Sequence, residues 1–117
     1  MHTTDIPEWC YAEAFGPEVG RQRYRPTPTG EDLARFLECS PIAHVEGVVA
    51  KTLFLVGAQD RRVPPSDPLH YVQVLRSRGL DTEVLLFPSD NHPLSKPQTE
   101  IQVWVRVLRF ARDVLSL

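Results

Sequence analysis

Residues 52–92 read TLFLVGAQDRRVPPSDPLHYVQVLRSRGLDTEVLLFPSDNH. An apolar run, Leu53-Phe54-Leu55-Val56, stops at Gly57, and Asp60 follows at once. A helical segment comes next, then a second apolar run, Val84-Leu85-Leu86-Phe87, a short polar turn and His92. The pattern predicts strand, loop, helix, strand, loop. Parallel strands joined by a crossover helix place both following loops at one edge of the sheet, the carboxyl edge. An aspartate and a histidine on neighbouring loops are therefore expected to meet there.

Working outward, the two strands are expected at about 52–56 and 82–87. The first is apolar throughout and does not alternate, which suits a strand covered on both faces of a parallel sheet, and the second is again apolar in its body. Between them, Asp67 is expected to cap a helix, Pro68 to fill its first position and Gly79 to follow its end. Leu69, Val72 and Leu75 form its buried stripe. A last helix is expected from near Pro97 to about Leu115. It carries one stripe of Ile101, Trp104, Val105 and Leu108, and a second of Val103, Val107, Phe110 and Val114. A helix that apolar is normally covered on more than one side. Little in the chain is left to cover it. The rest of a larger sheet, or an oligomer partner, is expected to do so.

Upstream, a short helix is expected at 31–38, started by Thr29 or Gly30 and carrying Leu33, Phe36 and Leu37 on one face. Ser40-Pro41 ends it, and residues 42–49 read as an irregular link. Residues 1–30 have no sustained period. Gly16-Pro17, Gly20 and Pro26-Thr27-Pro28-Thr29-Gly30 punctuate them, so they read as a meandering surface loop. Within it, the apolar cluster Trp9-Cys10-Tyr11 is expected to pack on something.

The 117 residues make one domain or part of one, with 42% apolar and 24% charged residues. Thirteen Lys and Arg against fifteen Asp and Glu give a formal charge of -2. The arginines are spread along the chain, which argues against a nucleic-acid grip. No apolar run approaches the roughly 20 residues of a membrane helix. The opening MHTTDIPEWC has no basic start and no apolar core, so it does not read as a signal peptide. Cys10 and Cys39 lack CxxC spacing and are expected to be free thiols in a reducing compartment, the cytoplasm by default. His2, His44 and His70 show no ligand spacing with Cys or carboxylates, so no metal site is expected, and no Gly-rich phosphate loop or other cofactor signal is present.

The candidate chemistry lies in Asp60 and His92. An Asp that accepts Nδ1–H of a His fixes the tautomer and steadies the imidazolium formed in catalysis. Asp before His is also the chain order of the α/β-hydrolases. Their nucleophile, a serine in G-x-S-x-G, should lie upstream. The only upstream serine is Ser40, which follows a helix and precedes Pro41, and no serine in the sequence is flanked by that motif. Spacing alone leaves open that Asp60 is a turn aspartate and His92 an exposed loop histidine.

The runs Ser40-Pro41-Ile42, Thr52 to Gly57, Asp60-Arg61-Arg62-Val63-Pro64, Val84-Leu85-Leu86-Phe87-Pro88 and the later His92 resemble the C-terminal end of the prolyl oligopeptidase family of serine peptidases. Tyr71 and Leu75 fit the same pattern. With the opening Thr3-Thr4-Asp5-Ile6-Pro7-Glu8-Trp9-Cys10, the chain most resembles the acylaminoacyl-peptidase branch. The resemblance implies a partial α/β-hydrolase fold, a strand-helix-strand-helix portion of a parallel sheet, over residues 1–117. It implies Asp60 as triad acid and His92 as triad base. It implies an N-acylated peptide as substrate of the complete enzyme, whose nucleophile, remaining catalytic domain and β-propeller would come from elsewhere. Such a chain is expected to be inactive alone and to form homo-oligomers. Pro93, where the family carries a small residue, stiffens the histidine loop. The alternative is a non-catalytic interaction module that docks through its last helix. A stand-alone Rossmann-like domain would need a ligand loop that the sequence lacks.

Overall fold

A computed structural model describes residues 7–116. The opening residues 3–6 of the family resemblance, and His2, lie outside that range. The element order is α1 (Glu8–Phe15), α2 (Pro17–Arg23), α3 (Gly30–Cys39), a 3₁₀ helix (Pro41–Gly47), β1 (Thr52–Gly57), α4 (Ser66–Ser77), β2 (Thr82–Phe87) and α5 (Pro97–Leu115). The chain divides into two compact units between Gly47 and Val48.

The first unit corrects the loop reading of residues 1–30, because residues 8–23 are mostly helical. The cause is tertiary. Tyr11 is fully buried, with ring centroids 4.9 Å from Phe36 and 6.2 Å from Phe15. The Arg35 Nε donates to the Ala14 carbonyl at 2.9 Å, near the end of α1. Gly16-Pro17 is a joint between helices, with Pro17 at the first position of α2. Of the expected aromatic cluster, Tyr11 packs, while Trp9 stays half exposed. Thr29 caps α3 in a reciprocal box. Its hydroxyl accepts from the Asp32 N–H at 3.2 Å, and its own N–H donates to Asp32 Oδ2 at 2.9 Å. The link at 42–49 is more regular than expected, with a 3₁₀ turn to Gly47. Cys10 and Cys39 are both free.

The second unit is the strand-helix-strand-helix portion. β1 and β2 pair in parallel, in register from Thr52 opposite Thr82 to Gly57 opposite Phe87. α4 lies against one face, where Tyr71 meets Phe54. α5 lies against the other, where Arg106 bonds Glu83. Val72 and Leu75 of the expected stripe are buried, while Leu69 is half-buried. Gly79, at φ +79, follows α4 as expected. It lets the Leu80 N–H reach back to the Leu75 carbonyl at 3.1 Å, a Schellman closure. The start of α4 corrects the expected cap: the helix begins at Ser66, and no side chain caps it. The strands are half-buried over most of their length, and Leu86 is exposed. Among the described residues, no helix is long and apolar enough to cross a membrane.

Candidate active site

The register brings the two loops together. β1 and β2 end level with each other, at Gly57 and Phe87. After β1 the chain turns, and the Asp60 N–H donates to the Gly57 carbonyl at 3.2 Å. Asp60 then turns its carboxylate onto its own loop. Oδ1 accepts from the Arg62 and Val63 N–H groups, each at 2.9 Å. Such a local side-chain-to-backbone turn is what a short Asp offers. Pro64 and Pro65 stiffen the way into α4. This leaves Oδ2 free to face the neighbouring loop.

That loop is stitched to the first through the backbone. The Ala58 N–H donates to the Phe87 carbonyl at 2.9 Å, and the Gln59 N–H to the Asp90 carbonyl at 2.8 Å. The Gln59 side chain adds a bond from Nε2 to the Pro88 carbonyl at 3.2 Å. Gly57 allows the approach: a Cβ there would sit 2.4 Å from the Asn91 carbonyl oxygen. Past His92 and Pro93, Leu94 takes φ +48 and turns the loop toward α5.

His92 Nδ1 lies 2.9 Å from Asp60 Oδ2. Asp60 is held below its ordinary value. The Val63 N–H bond is the main cause, partial burial opposes it, and the His92 and Arg62 bonds add to it. An ionised carboxylate only accepts, so its bond to the ring calls for a proton on Nδ1, and in a neutral imidazole that makes Nε2 the acceptor. The side chain of Asp60 is 12% exposed and that of His92 46%. The acid is largely buried, and the imidazole that bonds it is about half exposed. Beside it lies an open depression of about 500 Å³, lined by Gln59, Arg61, Arg62, Ser89, Asn91, His92 and Pro93.

The structure thus joins both candidate residues in one pair. His44 is elsewhere, with Nε2 2.6 Å from the Glu38 carbonyl, and His70 is exposed on α4. Among the described residues, no group of three or more His, Cys, Asp or Glu could hold a metal ion. Sequence reasoning missed Gln59 and Asp90, which fasten the loops. The only signal for Asp90 was an acidic residue two before the histidine.

The sequence profile of the Prolyl oligopeptidase family matches residues 8–117. The chain belongs to the prolyl oligopeptidase family. Its relatives there include the acylamino-acid-releasing enzyme of Arabidopsis thaliana, 45% identical over 104 residues, which are 89% of this chain and 13% of that enzyme. Acylamino-acid-releasing enzyme 2 of Oryza sativa subsp. japonica is 43% identical over 115 residues, 98% of this chain and 15% of that enzyme. The acylamino-acid-releasing enzyme of Homo sapiens is 31% identical over 116 residues, 99% of this chain and 15% of that enzyme. The chain spans 13–15% of the length of the curated relatives it matches. The parallel strands and crossover helix are in keeping with part of the family's α/β architecture.

Proposed function

We propose that Asp60 and His92 are the acid and base of a serine hydrolase that releases N-acyl amino acids from acylated peptides. The single observation that carries this is the 2.9 Å contact of His92 Nδ1 with Asp60 Oδ2, in a chain of a serine peptidase family. The relatives, acylamino-acid-releasing enzymes by name, supply the substrate class. The nucleophilic serine and the oxyanion hole come from polypeptide outside these 117 residues, so the chain alone does not turn over substrate.

In the assembled site, the serine Oγ attacks the carbonyl carbon between the acylated residue and the next. His92 Nε2 takes the hydroxyl proton as the C–O bond forms. Asp60 holds Nδ1–H and stabilises the imidazolium. The tetrahedral intermediate collapses, the C–N bond breaks, and His92 gives its proton to the leaving amine. Water then attacks the acyl-enzyme with His92 again as base. The N-acyl amino acid leaves, and the proton returns to serine. The open basic depression beside His92 suits the carbonyl-rich backbone of a peptide.

The test is complementation. The chain is combined with a polypeptide carrying the remainder of the catalytic domain, and labelling by a fluorophosphonate probe and release of an acetylated residue are measured. Asp60→Asn should lower kcat by about 10⁴-fold, because the imidazole loses its tautomer control. His92→Ala should lose as much or more. Turnover that survives His92→Ala unchanged would overturn the assignment.

A second reading rests on α5, whose Ile101, Trp104 and Leu108 are about two-thirds exposed. On that reading the chain is a non-catalytic module that docks on a hydrolase subunit. It is favoured if the chain binds such a subunit yet neither gains nor alters labelling.

A further inference from the structure

We propose that Asp90 and Thr99 are positioning residues that hold the His92 loop in register with Asp60. This rests on the reading of Asp60 and His92 as a catalytic pair, and it names what keeps them paired. The loop between β2 and α5 is largely exposed. Ser89, Asn91, His92 and Pro93 all face solvent, and across residues 88–96 only Asp90 is buried, at 2% exposure. Its carboxyl group points inward to Thr99, in the first turn of α5 and itself buried. The Thr99 hydroxyl donates to Asp90 Oδ2 at 2.6 Å.

Asp90 is also fastened through its backbone. Its N–H donates to the Phe87 carbonyl at 3.3 Å, and its carbonyl accepts from the Gln59 N–H at 2.8 Å. One residue therefore binds the end of β2, the residue before Asp60 and the start of α5. It does so two positions before His92. A slip of this anchor would carry the imidazole with it, and misplacement by about 1 Å can cost on the order of 10²-fold in rate.

The remaining carboxyl oxygen, Oδ1, is buried without a partner among the described residues.

The experiment is long-range ¹H–¹⁵N spectroscopy of the imidazole rings in the 117-residue chain. His92 is assigned by the signal lost in His92→Gln. The wild type should show the Nδ1–H tautomer, with a hydrogen-bonded, downfield Nδ1 proton. Thr99→Val keeps the shape and removes the hydroxyl. It should lose that signature while the chain stays folded, and Thr99→Ser should keep it. Asp90→Ala, which removes the acceptor, should repeat the loss. A purely structural role would lower the melting temperature and leave the ring signature of the folded chain unchanged, which would overturn the proposal. Failure of both Thr99→Val and Asp90→Ala to fold would overturn it too, because the link would then be a folding element. In the complemented enzyme, Thr99→Val should lower kcat by about 10²-fold with KM unchanged. The ring readout needs no turnover. An unchanged ring signature fails this inference, whereas labelling indifferent to His92→Ala fails the functional reading.

Discussion

Gly57 shows how much of the site is decided by one position. Its neighbours across the loop are backbone atoms, and a Cβ would lie 2.4 Å from the Asn91 carbonyl oxygen and 2.9 Å from that of Asp90. Backbone cannot swing aside as a flexible side chain would. Gly57→Ala should therefore push the histidine loop off the aspartate loop. The expected cost is about 1–3 kcal/mol, in the range of overpacking, read as a lower denaturation midpoint. The Nδ1–H signature of His92 should weaken with it. An alanine variant of unchanged stability would mean the loops are looser than these distances. Asp60 and Gly57 were legible as residues because a strand must stop somewhere and its loop residues stand out. The contact that makes Gly57 matter was not legible, since it is made with a residue more than thirty positions away.

At the scale of elements, legibility followed the strength of the local signal. β1, β2, α4 and α5 are long apolar or striped runs, and their bounds were close. The start of α4 was misplaced because Asp67 and Pro68 looked like cap and first turn. In the fold, Pro65 precedes the helix, and Asp67 lies inside the first turn. α1 and α2 were missed because Gly16 and Pro17 read as a loop, while their stability comes from Tyr11, Phe36 and Arg35. The cap of α3 carries a prediction of its own. Burial would raise the Asp32 carboxyl, but the Arg23 bond at 2.7 Å and the Thr29 bonds outweigh it and hold the group at about 2, against an ordinary 3.8. A depressed carboxyl stabilises the fold above its unfolded value. That contribution drains away as pH falls through the folded one. Stability of the wild type should thus drop between pH 3.8 and about 2. In Asp32→Asn, which keeps a capping oxygen and loses the charge facing Arg23, this part of the drop should be absent. Denaturant midpoints at the two ends of that window check it. Equal slopes for both chains would refute the assignment.

At the scale of the whole molecule, the exposed face of α5 is the feature with the largest consequence. Ile101, Trp104 and Leu108, spaced to share one helical face, are each 65–66% exposed. Apolar groups buried against a partner gain roughly 25 cal/mol per Å², so a continuous patch of this kind favours association. On the sheet side, Val103, Val107 and Phe110 are half-buried, Arg106 pairs with Glu83, and Lys51 bonds Glu83 at 2.9 Å and sits over the Phe110 ring. The outer face is therefore available without loosening the helix. Changing Ile101, Trp104 and Leu108 together to Gln should alter stability little, about 0.5 kcal/mol or less per site, because exposed positions carry little folding energy. The same change should abolish self-association. In sedimentation, the wild type should grow heavier with concentration, and the variant should remain at the 13.3 kDa of a single chain. A complementing catalytic polypeptide should compete with self-association if it covers the same face. A wild-type chain that stays monomeric at every concentration would show that this face does not drive association. The second reading of the chain would then rest on binding to a hydrolase subunit alone, and the Asp60–His92 pair would be unaffected.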